Sequence, residues 1–405
     1  MILFLHAPAP DDPQIGQRPL TFRKKLLFAG IMALIVLVAV ELGLSLFYQP
    51  IRQEPIEQKL ARIPEYAHLD WPKELFTEEH QAKTKLVPWT MYRKEEFHGK
   101  FVNVSPEGLR KTWNPPGTTQ DQKVKKVFCF GGSTTWGIGS RDDFTIPSLL
   151  SKKLNQGSDR FVVVNYGEQT YYSKQEVINL VLLLIQGNIP DYVIFYDGVN
   201  EAMVGFNTGQ AGSCFGFDNL EFKLIKTETF WEKLRRYLQE SYIYIGVTEV
   251  RSWIRRSFAR DRGFSPEELK KLNQLADDLV GDYLNNVKFV QRQSETFGFK
   301  CLFLWQPALF TNRALTADEK KDPSWNYKKW VKLTELVYER MAKVKMDHFY
   351  DISDMFDQKN KTLFFSWAHI TEGGNELVAD RIYQIFQKEF GPNFSAGSES
   401  PQTVH

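Results

Sequence analysis

Val124-Lys125-Lys126-Val127-Phe128-Cys129-Phe130-Gly131-Gly132-Ser133-Thr134-Thr135-Trp136-Gly137 passes from a short apolar run into glycines and hydroxyls. The run reads as a buried strand over Lys125 to Phe130, and the glycines mark a sharp turn after it. A serine hydroxyl is a weak nucleophile until a base takes its proton and the backbone holds it exposed, which a strand-to-helix turn does. Ser133 stands at that place. Gly131 and Gly132 clear side chains from the turn, so backbone can approach a substrate and the Ser133 amide can point toward a developing oxyanion. Glycine-rich turns also bind phosphate, but this one has neither a P-loop lysine nor a G-x-G-x-x-G frame.

Outward from this turn, short β-branched and aromatic runs alternate with helical periodicity, the pattern of parallel βαβ units. Strands are expected at Phe161 to Asn165, Tyr192 to Tyr196, Lys300 to Trp305 and His348 to Ile352. Helices are expected over 146–155, 174–186, 265–297, 325–344 and 373–389. The fold class is therefore a three-layer α/β/α domain on a parallel five-stranded sheet, flavodoxin-like in plan, over residues 101–392. Residues 201–264 separate the third strand from its expected helix. They interleave Phe230, Trp231, Leu234, Tyr237, Tyr242 and Ile243 with Lys233, Arg235, Arg236, Arg251, Arg255 and Arg256. This basic amphipathic insert reads either as a helical cap packed on the core or as a surface that touches anionic headgroups or covers an acyl substrate.

Three further segments place polar groups after strands, at the sheet edge where open α/β folds bind ligands. They are Asn165-Tyr166-Gly167-Glu168, Asp197-Gly198-Val199-Asn200-Glu201 and Trp367-Ala368-His369-Ile370-Thr371-Glu372-Gly373-Gly374-Asn375. Together with Ser133 the set resembles the SGNH (GDSL-type) hydrolases, whose four blocks carry a serine, a glycine, an asparagine and a histidine in that order. Phe101 to Arg110 is similar to the lead-in of the membrane-anchored Gly-Gly-Ser-Thr branch. The resemblance implies Ser133 as nucleophile, His369 as general base, and an oxyanion hole made by the Ser133 and Gly167 amides and the Asn200 side chain. It implies a serine esterase, with an O-acyltransferase or deacetylase of envelope or exported polysaccharide as the alternative. A non-catalytic binding module on the same fold is the reading from another class.

The chain departs from the family in two places. Gly132 replaces the aspartate of the first block, which removes no catalytic group. Ser366 stands where Asp-x-x-His would supply the acid that orients the imidazole, and losing such an acid costs up to about four orders of magnitude in turnover. Ser366 itself, Asp354 or Glu372 are the candidate orienting groups.

Ahead of the domain, Leu26 to Tyr48 is apolar except for Glu41 and spans roughly 35 Å as a helix, enough for a hydrocarbon core of about 30 Å. Arg18, Arg23, Lys24 and Lys25 precede it, so the positive-inside bias leaves residues 1–25 cytoplasmic and the catalytic domain outside. An uncleaved anchor over 26–48 is expected rather than a signal peptide, because no A-x-A-like site follows. Residues 49–100 read as a stalk that packs partly on the domain, and 393–405 as a disordered tail. Across the 405 residues, 51 Lys and Arg balance 49 Asp and Glu, which argues against a nucleic-acid partner. Cys129 and Cys301 read as small buried residues, no metal-ligand spacing is evident, and no cofactor is expected.

Overall fold

The computed structural model describes residues 21–47, 63–117, 124–157, 160–214, 237–238, 241–258, 263–312, 314–357 and 361–391. The expected tail at 393–405 and most of the segment at 1–25 lie outside these residues. The chain divides into two compact units, Met1–Gln53 with Ile225–Arg262, and Glu54–Leu224 with Gly263–His405.

The larger unit contains helix α2 (Trp71–Gln81), preceded among the described residues by one helix of the smaller unit, and short antiparallel pairs β1 (Thr84–Val87) with β2 (Met91–Lys94) and β3 (Phe97–His98) with β4 (Asn103–Val104). Its sheet follows: β5 (Lys125–Gly131), β6 (Phe161–Asn165), β7 (Tyr192–Asp197), β8 (Lys300–Trp305) and β9 (Phe349–Asp351). All pairings are parallel and the order is β6-β5-β7-β8-β9. Parallel strands are covered on both faces, which is why they read as unbroken apolar runs. Alternate residues go to opposite faces. Phe128, Phe130, Val193, Phe195 and Phe303 pack against α5 (Ser173–Ile185), α8 (Pro266–Phe297) and α9 (Lys328–Met341). Val127, Cys129, Ile194, Leu302 and Leu304 pack against α4 (Ile146–Leu154) and α10 (Glu372–Phe390).

Helix starts follow their caps. Thr145 accepts from Ser148 N ahead of α4, and Thr371 does so from Gly374 N ahead of α10. Ser265 and Glu268 form a capping box at α8, and Gly298 at φ +79° ends that helix.

Two expectations need correction. From Ile63 onward the stretch expected to be a stalk is folded into the larger unit, with Ile63, Tyr66, Leu75 and Phe76 buried. Its Glu78 carboxylate binds backbone rather than solvent, accepting from the amides of Lys100, Phe101 and Val102 at 2.7, 2.9 and 2.9 Å. Nor does the insert begin at 201. Helix α6 (Val199–Thr208) follows β7 at once. Its glycine is a packing device, since a Cβ on Gly205 would come within 2.6 Å of Leu279 Cδ1 on α8.

The smaller unit contains α1 (Phe22–Phe47), whose stretch Phe22–Ser45 has mean hydropathy 2.6 and is long and apolar enough to cross a membrane. It also contains α7 (Tyr242–Phe258) from the insert. The Glu41 carboxylate accepts from the amides of Tyr242 at 2.6 Å and Ile243 at 3.0 Å, so a side chain of α1 caps the N-terminus of α7.

Candidate active site

A strand order of 2-1-3-4-5 opens a crevice at the carboxyl ends of its first and third strands. Those strands are β5 and β7. Ser133 begins the single-turn helix α3 (Ser133–Trp136) immediately after β5, and Asn200 is the second residue of α6 after β7. Gly131, at φ +155°, makes the turn: a Cβ there would lie 2.1 Å from Thr135 Oγ1 and 2.7 Å from Tyr196 O. The N–H of Ser133 is a first-turn donor with no carbonyl partner inside its helix. Thr134 Oγ1 donates to Gln306 Oε1 at 2.9 Å, which ties α3 to the residue after β8.

His369 arrives from the loop before α10. Its Nε2 lies 2.8 Å from Ser133 Oγ, although 236 positions separate the two residues. Its Nδ1 lies 2.7 Å from Ser366 Oγ, and its own backbone N–H donates to the same oxygen at 3.2 Å. The ring stacks on Phe365, with centroids 5.8 Å apart, and meets Trp367 at a tilt. Ser133, His369 and Ser366 therefore form one hydrogen-bonded row. Of the other orienting candidates, Glu372 is engaged by Arg141, whose Nε and Nη2 donate at 2.9 and 2.7 Å. Asp354 is exposed in the turn after β9.

Asn200 Nδ2 donates to Tyr171 O at 2.6 Å and lies against Gly132, where a Cβ would come within 2.1 Å of it. That close approach explains a glycine beside Ser133. Gly167 packs on α3, where a Cβ would sit 2.5 Å from Trp136 N. Its N–H, however, donates to Asn165 Oδ1 at 2.9 Å. The amide expected in the oxyanion hole is thus engaged by its own strand end.

Several residues behind the row carried no legible signal in the sequence. Glu201 accepts from Ser173 N at 2.8 Å and Gly198 N at 3.1 Å, tying the turn that presents Asn200 to the start of α5. Burial pushes its carboxyl up to about 7, against the pull of those amides. Glu176 and Asp197 are buried beside it, and desolvation together with carboxylate repulsion raises both well above the usual range. Arg110, fully buried over the Trp136 ring at 4.3 Å, donates to Asp142 Oδ1 at 2.9 Å and to the carbonyls of Gly137 and Ser140 at 3.1 and 2.7 Å. It holds the chain leaving α3. Tyr66 does the equivalent for the His369 loop: its hydroxyl donates to Gly139 O at 2.8 Å and accepts from Glu372 N at 2.7 Å. Among the described residues, no group of three or more His, Cys, Asp or Glu is placed to hold a metal ion.

With this sheet order and a serine after its first strand facing a histidine before its last helix, the architecture is decided. The fold is the three-layer α/β/α plan on a parallel five-stranded sheet that the resemblance to the SGNH hydrolases implies. Solved structures with which the chain aligns include an acetyl xylan esterase, at 14% identity and TM-score 0.36 over 64% of this chain and 98% of the other. A carbohydrate acetylesterase from Sinorhizobium meliloti aligns at 14% identity and TM-score 0.33, over 66% and 100%. A lipolytic protein of the G-D-S-L family from Veillonella parvula aligns at 11% identity and TM-score 0.35, over 65% and 100%. No family model matches the sequence, and neither does any curated relative.

Proposed function

We propose that the larger unit is a serine ester hydrolase acting through a Ser133-His369 centre in which Ser366 orients the imidazole. The observation that carries this reading is the row of contacts at 2.8 and 2.7 Å on the two nitrogens of one ring. With the proton on Nδ1, Ser366 Oγ accepts it and Nε2 is left as the base. His369 takes the Ser133 proton, Ser133 Oγ attacks the ester carbonyl, and the tetrahedral oxyanion meets the Ser133 amide and the Asn200 side-chain N–H. The Gly167 amide joins them on release from Asn165 Oδ1. His369 then protonates the departing alcohol, and the acyl-enzyme is resolved by water activated on the same ring. A neutral hydroxyl at Nδ1 stabilises the imidazolium less than a carboxylate does, so turnover is slower than in a carboxylate-backed centre.

In this reading α1 is an uncleaved membrane anchor with the amino terminus cytoplasmic, and the substrate is an ester or acylated glycan outside it. The length and hydropathy of α1 and the basic residues Arg23, Lys24 and Lys25 at its start support this.

The test uses the full-length protein in detergent micelles, with a short-chain aryl ester and a fluorophosphonate probe. Wild type is expected to hydrolyse the ester and take the label, and Ser133→Ala to do neither. Equal hydrolysis by the two proteins would leave the fold as a binding module.

A further inference from the structure

Glu41 is the one acid of α1, which is apolar around it, and α7 leaves large apolar side chains exposed beside Thr248 and Arg251; each explains the other. The Glu41 carboxylate receives both leading amides of α7, so the cost of a carboxylate at that depth is offset by two charge-assisted hydrogen bonds. Tyr244, Val247 and Val250, spaced three apart on α7 and so on one face, are 44, 61 and 56% exposed. Arg251 is exposed on the following position, and the helix sequence carries Arg255 and Arg256 beyond it against one acid, Glu249.

Position along α1 says what this face meets. Lys25 marks one edge of the span, and Glu41 follows it by sixteen residues, about 24 Å at 1.5 Å per residue. A hydrocarbon core of about 30 Å then ends about 6 Å beyond Glu41. Helices that lie in the interface bury their apolar face about 5–10 Å into the headgroup and acyl boundary. The start of α7 is held within that window.

We infer that α7 is an interfacial helix lying in the bilayer leaflet on the far side of the span from Lys25, its Tyr244-Val247-Val250 face among acyl chains and its arginines among anionic headgroups. The inference rests on the reading of α1 as a membrane span. Arginine stems are suited to this position, with their chains along apolar surface and their heads at phosphates. The chemistry that recognises the surface is therefore an anionic lipid headgroup, at a basic helix already tethered to the membrane.

The experiment uses the full-length protein carrying Cys214→Ser, with an environment-sensitive fluorophore on Val247→Cys or, separately, on Leu34→Cys of α1. The protein is placed in nanodiscs of phosphatidylcholine with or without phosphatidylglycerol, each with and without nitroxide-bearing lipids. Leu34 is expected to be quenched by deep nitroxides and Val247 by shallow ones, with stronger quenching of Val247 when phosphatidylglycerol is present. Arg251→Gln, Arg255→Gln and Arg256→Gln together are expected to abolish that added quenching. Leu34 quenched with Val247 indifferent to nitroxide lipid would overturn the inference and leave the span intact. Leu34 unquenched would remove the span and the inference with it. Unchanged quenching in the triple variant would refute the anionic headgroup as the partner.

Discussion

Ser366 Oγ receives the backbone N–H of His369 and faces the Nδ1 of the same residue, so one hydroxyl fixes both the loop and the ring. In the proposed mechanism a shorter side chain takes the place of an acid here. Removing it frees the ring to rotate without disturbing Ser133. Ser366→Ala is expected to lower kcat about ten- to a hundredfold with KM little changed, within the range of about four orders of magnitude seen when a triad acid is lost. Ser366→Asp is expected to raise kcat above wild type. Steady-state kinetics on an aryl ester checks both, and a Ser366→Ala enzyme with unaltered kcat would remove Ser366 from the mechanism.

Asn200 Nδ2 lies against Gly132 beside Ser133 while donating to Tyr171 O, which leaves its second N–H for an oxyanion in the proposed mechanism. Asn200→Ala is expected to cost about a hundred- to a thousandfold in kcat, the usual effect of deleting one oxyanion donor. KM should stay near wild type, because the donor acts on charge that develops after binding. A loss confined to KM would instead assign Asn200 to substrate binding.

Arg110 and Asp142 form an ion pair whose side chains are 0 and 8% exposed. Taking away one member strands the other in the core, which typically costs about 3–5 kcal/mol. Arg110→Met should therefore lower the thermal midpoint markedly, and Arg110→Met with Asp142→Leu should recover part of the loss. A double variant no more stable than the single one would show that the carbonyl contacts to Gly137 and Ser140 matter more than the charge pair.

The buried acids make stability depend on pH in a particular direction. Glu201 moves from an ordinary value of 4.5 to about 7, and Glu176 and Asp197 are raised as well. A raised carboxyl binds its proton more tightly in the folded chain, so its contribution is complete below about 4.5 and is lost as pH rises through about 7. The thermal midpoint is expected to fall between those limits on going alkaline. Asp197→Asn, which cannot ionise, should flatten that slope; a slope unchanged by the substitution would place the titration elsewhere.

What could be read from residue order was whatever is local. The strands β6 and β8 fall where their apolar runs begin and end, because a strand buried on both faces leaves a continuous mark. The serine and histidine blocks were legible for the same reason, each being a short motif at a strand end. Arg110, Tyr66, Glu201 and Glu41 were not. Each acts through a partner distant in sequence, as with Tyr66 and Gly139 73 positions apart or Glu41 and Tyr242 201 apart, and neither member shows a local pattern. The same holds for Glu65 and Glu78. Their abundance with lysine and proline suggested a stalk packed only partly on the domain, whereas Glu65 accepts from Gly373 N and Glu78 from the amides of Lys100 to Val102.

The Tyr66 hydroxyl joins the nucleophile loop to an amide 306 positions further along the chain. A ribosome must therefore pass residue 372 before the His369 loop can be clamped, and residue 369 before His369 can meet Ser133. During synthesis Ser133 emerges long before its partner, so under the proposed mechanism any chain ending before residue 369 carries the serine with no means of deprotonating it.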